Sequence, residues 1–402
     1  MKKESSSFSR RQFLQTSGAL SVGALLFGPR LAAAEVDTAA PEKVAKRKFG
    51  RTGVEVSHVG LGCMFDTINA QVVLKTAFDH GVTYWDTAAG YERMGSETGI
   101  GMFFTKYPEA RKDIFLVTKG RAGSADALTK SLDESLARMK TDHVELFFIH
   151  GADNIAQVDT PEVKAFAEKA KKAGKIRFFG FSTHSNMPEC LQAAAKVGWI
   201  DGIMLTYNYR EMNRPEMKAA LEACTKAGIG LTAMKTLGGR SGADTPEQAA
   251  LLEPIVTRGF TPAQAKLKAV MENPQIACAC IQMPNMKFCR ENIAAALDRR
   301  ELTAPVKAAL NQHAEATCDR YCAGCSHLCG AAVAGAVPVR DVMRHLMYYH
   351  NYAELDARAM FSDIPADVRQ RLTAVDYSEA ERVCPHRLPI AQLMREASTV
   401  LA

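Results

Sequence analysis

Between Lys46 and Leu297 the chain alternates short apolar runs with amphipathic stretches. The runs are His58–Cys63, Thr83–Thr87, Ile114–Lys119, Val144–His150, Ile176–Ser182, Gly202–Asn208, Gly230–Thr236 and Cys278–Met283. Helical spacing fills the intervals, as in Ala127–Met139, Pro161–Ala173, Pro215–Ala227 and Pro262–Glu272. Near-continuous apolar strands separated by helices are the pattern of a parallel sheet covered on both faces. Eight such units in about 240 residues predict an α/β fold closed into a (β/α)8 TIM barrel. A doubly wound open sheet is the runner-up, but no Gly-rich dinucleotide fingerprint follows the first strand. Before strand one, Lys48–Val56 reads as a hairpin with Thr52-Gly53 at its turn. The expected plan is a signal over 1–34, a linker over 35–45, a barrel over 46–300 and a small, mainly α-helical domain over 301–402.

Reactive groups in such barrels lie at the C-terminal ends of the strands. Asp86 ends the second run, Tyr91 follows it by five positions, Lys119 ends the third and His150 the fourth. Each has a plain structural reading: a capping carboxylate, a packed ring, a snorkelling amine, a satisfied imidazole. Four ionisable residues at three consecutive strand mouths, however, converge on one point. An ammonium about 4 Å from a phenol, at an effective dielectric near 20, favours the phenolate by roughly 4 kcal/mol. Lys119 is therefore expected to make Tyr91 a usable general acid. Asp86 would keep Lys119 charged and aimed, and His150 would donate to a carbonyl oxygen or relay a proton. The group suits a carbonyl that becomes an alkoxide. With no nucleophile beside a base, hydrolysis is a poor fit.

In this order, Asp86, Tyr91, Lys119 and His150 resemble the catalytic tetrad of the aldo-keto reductase family. The resemblance covers Lys46 to Leu297 and includes Gly60-Leu61-Gly62, Asp86-Thr87-Ala88, Gly95-Ser96-Glu97 and Gly180-Phe181-Ser182. It implies carbonyl–alcohol interconversion dependent on NADP(H) or NAD(H). It also implies cofactor contacts from Ser182, Thr183 in place of the usual Asn, Asn208, Thr236, Gly238, Gly239, Glu291 and Asn292. The backbone around Thr236-Leu237-Gly238-Gly239 would cradle the pyrophosphate. Departures are visible: Met204 stands where the family often has Gln, Met234 where an aromatic stacks on nicotinamide, and Phe288 where an Arg grips the 2′-phosphate. The choice between the two nucleotides stays open.

The N-terminus changes the picture of location. Ser9-Arg10-Arg11-Gln12-Phe13-Leu14 is a twin-arginine pattern, followed by a mildly apolar run to Phe27 and by Ala32-Ala33-Ala34. That order reads as a removable export signal. The apolar run is shorter than the ~20 residues of a bilayer span, so the mature chain is not expected to be an integral membrane protein. A periplasmic or otherwise exported protein follows, its nicotinamide cofactor loaded before export and retained. The net charge of +6 is spread out, with no basic stripe interleaved with aromatics; nucleic acid is not an expected partner.

Eleven cysteines remain to be explained. Cys63, Cys190, Cys224, Cys278, Cys280 and Cys289 sit in apolar or helical contexts and read as small buried thiols. The other five are Cys318, Cys322, Cys325, Cys329 and the distant Cys384-Pro385. Disulfides fit the compartment but would close very small loops. Zinc has a usable half-site in Cys322-x2-Cys325. A Cys-x3-Cys-x2-Cys spacing also occurs in radical enzymes, but there it precedes most of the barrel and here it follows it. The spacing best resembles a bacterial ferredoxin run, in which a distant Cys-Pro completes the cluster. One 4Fe-4S cluster is expected, held by Cys318, Cys322 and Cys325 with Cys384 or Cys329 as fourth ligand. Aldo-keto reductases with a C-terminal ferredoxin-like extension are the subgroup this chain resembles end to end. The resulting expectation is an exported reductase or dehydrogenase of a small carbonyl or alcohol, with a possible redox partner protein. The alternative is a redox-sensing or binding protein that retains a barrel without turnover.

Overall fold

The computed structural model describes residues 41–239, 243–351 and 354–402; the twin-arginine segment lies outside them. Strands β1 (Lys46–Lys48) and β2 (Glu55–Ser57) form the antiparallel hairpin, turned through Gly53 at φ 73. Eight strands then follow: β3 (Val59–Gly62), β4 (Tyr84–Asp86), β5 (Phe115–Gly120), β6 (Val144–Ile149), β7 (Ile176–Thr183), β8 (Gly202–Thr206), β9 (Gly230–Met234) and β10 (Cys278–Gln282). They close into a barrel in sequence order, with β10 pairing back onto β3, and every pairing is parallel. Each apolar run thus holds one strand of the cylinder.

Local chemistry sets the boundaries. The helix Ala125–Met139 begins two residues earlier than its apolar spacing because Ser124 accepts from Ala127 N at 3.2 Å. Thr160 and Thr261 cap the helices Pro161–Lys172 and Pro262–Met271, the second with Gln264 in a reciprocal capping box. β9 stops at Met234, short of the expected Thr236, because Lys235 turns into the left-handed region at φ 55. Left-handed backbone costs a non-glycine residue energy and recurs at functional turns.

Two apolar layers result. One lies between strands and helices and includes Trp85, Phe103, Phe147, Phe166 and Phe179; the other fills the cylinder with Tyr84, Phe115, Val117, Leu146 and Phe148. The hairpin stoppers the lower end. Phe49 is fully buried there, and a Cβ on Gly230 would lie 2.5 Å from its ring. The bottom is therefore sealed, and chemistry is confined to the upper rim.

After β10 the chain is helical. Val339–Asn351 and Ile390–Val400 pack around Leu346, Phe361, Leu372 and Met394. These helices and the barrel belong to one compact unit, Pro41–Ala402. They are joined by the bond from Asn186 N to Gly324 O (3.0 Å), by Asn208 Nδ2 donating to Tyr321 Oη (3.2 Å) and by the Arg340–Asp153 ion pair. Gly324, at φ 80, admits no side chain: a Cβ there would stand 2.5 Å from His184 O. Among the described residues no helix is long and apolar enough to cross a membrane.

Candidate active site at the barrel mouth

The register of β4 and β5 carries Asp86 and Lys119 to the upper rim. Lys119 Nζ donates to Asp86 Oδ2 at 2.7 Å and to Thr87 O at 2.8 Å, and both side chains are buried. Burial still raises the Asp86 carboxyl above its usual value, although Lys119 pulls it back. The short 3-10 segment Ala89–Met94 folds Tyr91 over this pair, with Lys119 Nζ 5.1 Å from the ring centroid. The His150 ring meets Tyr91 edge-on at 5.8 Å. Burial first, then the charges of Lys119, Arg344 and Arg121, drives the His150 pKa down to about 3. A neutral imidazole donates a hydrogen bond but no net charge.

One expectation is overturned. Lys119 does not acidify Tyr91: burial pushes that phenol well above its ordinary value, and Asp86 and Tyr348 add to the push. The ammonium is engaged by Asp86 and Thr87, and it lies over the ring face. The phenol remains protonated and able to donate.

Asp86 and Tyr91 open into a cleft of about 1200 Å³, which includes its solvent-facing mouth. Met204, Met234, Phe288, Glu291 and Asn292 line it, so the positions that depart from the family pattern are walls of the same cleft. Thr236 also lines it, and its buried hydroxyl has no partner, as a residue waiting for a ligand acceptor would. The other expected cofactor residues are engaged internally. Ser182 Oγ accepts from Gly151 N at 2.9 Å, and Thr183 Oγ1 donates to Ser185 O at 2.7 Å. Asn208 Nδ2 donates to Lys235 O at 3.2 Å, and its Oδ1 accepts from Arg210 N at 2.9 Å. Gly238, at φ 61, gives the loop its turn, and a Cβ on Gly239 would meet Asn351 at 3.1 Å. Gln282, His184, Lys235, Tyr348 and Asn351 line the cleft too and were not singled out from sequence. Strand-end position marks Gln282; no local signal marks Tyr348 or Asn351, which come from the C-terminal helix.

The five later cysteines separate. Cys322, Cys325, Cys329 and Cys384 ring a cavity of about 410 Å³, closed by Leu328, Val339, Met343 and Pro385. Cys318, in a 3-10 turn ahead of it, is not part of the lining, so the four thiols gathered include Cys329 and exclude the expected Cys318. Burial pushes the Cys322 thiol up to about 12 and Cys325 to about 11, and the neighbouring thiols add to both. All eleven cysteines are free, so the disulfide alternative finds no bridge. Among the described residues no three His, Cys, Asp or Glu side chains meet closely enough to hold a metal ion as they stand.

A closed parallel barrel with a buried lysine–carboxylate pair under a tyrosine at its rim defines a class of nicotinamide oxidoreductases. The chain belongs to the aldo/keto reductase family, whose pattern matches residues 60–301. It is 33% identical to the uncharacterized oxidoreductase YqkF of Bacillus subtilis over 42% of this chain and 58% of that one, so it spans under two thirds of that relative. It is 24% identical to the L-galactose dehydrogenase of Arabidopsis thaliana over 65% of this chain and 90% of that one. The solved thermostable aldo-keto reductase Tm1743 superposes with a TM-score of 0.56 at 26% identity, over 67% of this chain and 99% of that one.

The buried imidazoles make stability depend on acidity. His150 and His345, held to about 3 and about 4, take up protons near their usual value only when unfolded. The unfolded state therefore binds more protons below about pH 6.5, and stability is lost as pH falls. Denaturant unfolding at about pH 7 and about pH 5 is expected to show this loss, and His150→Gln to reduce it. An unchanged pH dependence in that variant would refute the assignment.

Proposed function

We propose that the protein is an oxidoreductase interconverting a carbonyl and an alcohol on a small hydroxylated molecule, with NADP(H) or NAD(H) as cofactor. The observation that carries this reading is the buried Asp86–Lys119 pair seated under Tyr91 at the opening of the cleft. The unpartnered Thr236 hydroxyl, with Glu291 and Asn292 further along the same wall, fits a nucleotide. When bound, the nicotinamide supplies or accepts a hydride. Tyr91 donates to the substrate oxygen as negative charge develops there. Lys119, fixed by Asp86, supports that charge from below, and neutral His150 orients the oxygen. The name of the L-galactose dehydrogenase relative favours a sugar-like substrate. A barrel without turnover is supported by the internal bonds of Ser182 and Asn208, but it leaves the substrate-facing Tyr91 unexplained. Tyr91→Phe is expected to lower kcat/KM for aldehydes and sugars by about 10²–10⁴-fold with nucleotide binding retained. Equal rates in both proteins would remove Tyr91 from the mechanism.

The C-terminal cavity fits a four-iron cluster. Four thiols surround one apolar space, and such a cluster spreads its cysteine ligands farther apart than a single ion does. Cys322, Cys325, Cys329 and Cys384 are the proposed ligands; deprotonated, they would bind iron, and the cluster would exchange single electrons or staple the domain. Anaerobically purified protein is expected to be brown and iron-bearing. Cys322→Ser should lose iron and Cys318→Ser retain it; the reverse pattern would restore Cys318 as a ligand, and a colourless zinc-bearing protein would end the cluster reading.

Export by the twin-arginine route is proposed from Arg10-Arg11 and the apolar run after them. Cell fractionation is expected to find wild type outside the cytoplasm and an Arg10→Lys, Arg11→Lys double variant inside it. Identical distribution of the two would overturn the proposal.

A further inference from the structure

The helix Val339–Asn351 presents one face to the barrel. Arg340, Met343, Arg344 and Met347 wall a space of about 590 Å³ beside the cysteine cavity, while Tyr348 and Asn351 reach into the active cleft. Tyr348 therefore shares a cleft with Asp86 and Tyr91, although more than 250 residues separate the two tyrosines in sequence. Its partner is Lys235, the residue turned into left-handed backbone at the end of β9. The Lys235 ammonium lies 4.8 Å from the Tyr348 ring centroid and donates a hydrogen bond to the phenol. The lysine is fixed from behind: its carbonyl accepts from Gly238 N at 2.9 Å and from Asn208 Nδ2 at 3.2 Å.

We propose that Tyr348, held by Lys235, is a second catalytic phenol of this site, delivered by the C-terminal helix and acting as a general base on a hydroxyl of the bound substrate. The inference rests on the oxidoreductase reading and deepens it. It assigns the substrate class as a hydroxylated carbonyl compound, with Tyr91 serving one oxygen and Tyr348 another. In the step, a substrate O–H bond breaks and the phenol O–H bond forms. The negative charge passes from the tyrosinate oxygen to the substrate oxygen, and no electrons change hands.

The surroundings favour this division of labour. Burial opposes ionisation of Tyr348, but Lys235, Arg344 and Lys119 outweigh it and bring the phenol below its ordinary value. Burial in turn lowers the Lys235 ammonium, against the pull of Tyr348. The other titratable groups around the pair are Tyr91 and Asp86 on the β4 side and His184 after β7, with His184 held well below its usual value by burial and by Lys235. Tyr91 is shifted up and Tyr348 down, so one cleft holds a phenol suited to giving a proton and another suited to taking one.

A base works only when deprotonated, so kcat/KM should fall as pH drops through the Tyr348 ionisation. In the full-length holoenzyme, Tyr348→Phe is expected to abolish that acidic limb and lower kcat/KM about 10²-fold. Lys235→Gln should move the limb to higher pH. Nucleotide affinity and circular dichroism, expected to stay at wild-type values, separate this from misfolding. Ultraviolet titration of tyrosinate in the same proteins provides a reading independent of turnover. Wild type should show one tyrosine ionising below the ordinary value of ~10, missing in Tyr348→Phe. The proposal is overturned if Tyr348→Phe keeps the wild-type rate and limb, or if no early tyrosinate is seen. Wild type with no turnover on any hydroxylated carbonyl would instead sink the oxidoreductase reading, and the titration would still decide whether the phenol is poised as a base.

Discussion

A buried ammonium is tolerable only where its charge is answered, and Lys119 meets that condition at the rim of the barrel. Asp86 on the neighbouring strand and the carbonyl of Thr87 hold it. Removing either ionic partner of such a pair leaves a charge in a poorly solvated place, at a cost of about 3–5 kcal/mol. The pair therefore fixes the relative height of β4 and β5 and gives Tyr91 a charged floor to rest on. The sealed lower end serves the same arrangement: with Phe49 filling the bottom, water reaches these groups only from above.

The cleft is a product of two parts of the chain. Barrel strands supply Asp86, Tyr91 and the loop after β9, and the C-terminal helix supplies Tyr348 and Asn351. His184 and Lys235 line both this cleft and the space beside it, where Cys322 also appears. The cysteine cavity, the intervening space and the active cleft thus share walls. A cluster held by the four thiols would sit next to the chemistry and not at the far edge of the molecule.

Much of this was legible in the sequence. Eight apolar runs with helical spacing between them define the cylinder, because a strand buried on both faces leaves few polar positions. Asp86, Tyr91, Lys119 and His150 were legible because strand-end position fixes where a side chain goes before any packing is known. The electrostatic consequence was not. Proximity of Lys119 to Tyr91 was readable, but whether the ammonium faces the hydroxyl or the ring depends on the turn Ala89–Met94, and burial then outweighs charge. The pairing of phenol and ammonium does occur, at Tyr348 and Lys235, between residues more than a hundred positions apart. No periodicity reports such a contact. The cysteines show the same limit: spacing grouped Cys318 with Cys322 and Cys325, whereas the cavity takes Cys329 from one turn of helix farther on.

The tight seat of Gly324 against His184 has a consequence for the order in which the molecule is built. The cysteine run docks on the loop after β7, so its resting place does not exist until that strand has emerged and paired. Cys384 must wait longer still, until the intervening helices have formed. Synthesis from the N-terminus therefore completes the cylinder first and its roof last. A chain interrupted before Cys318 would leave the rim as an open bowl, with neither the second tyrosine nor the thiol chamber in place.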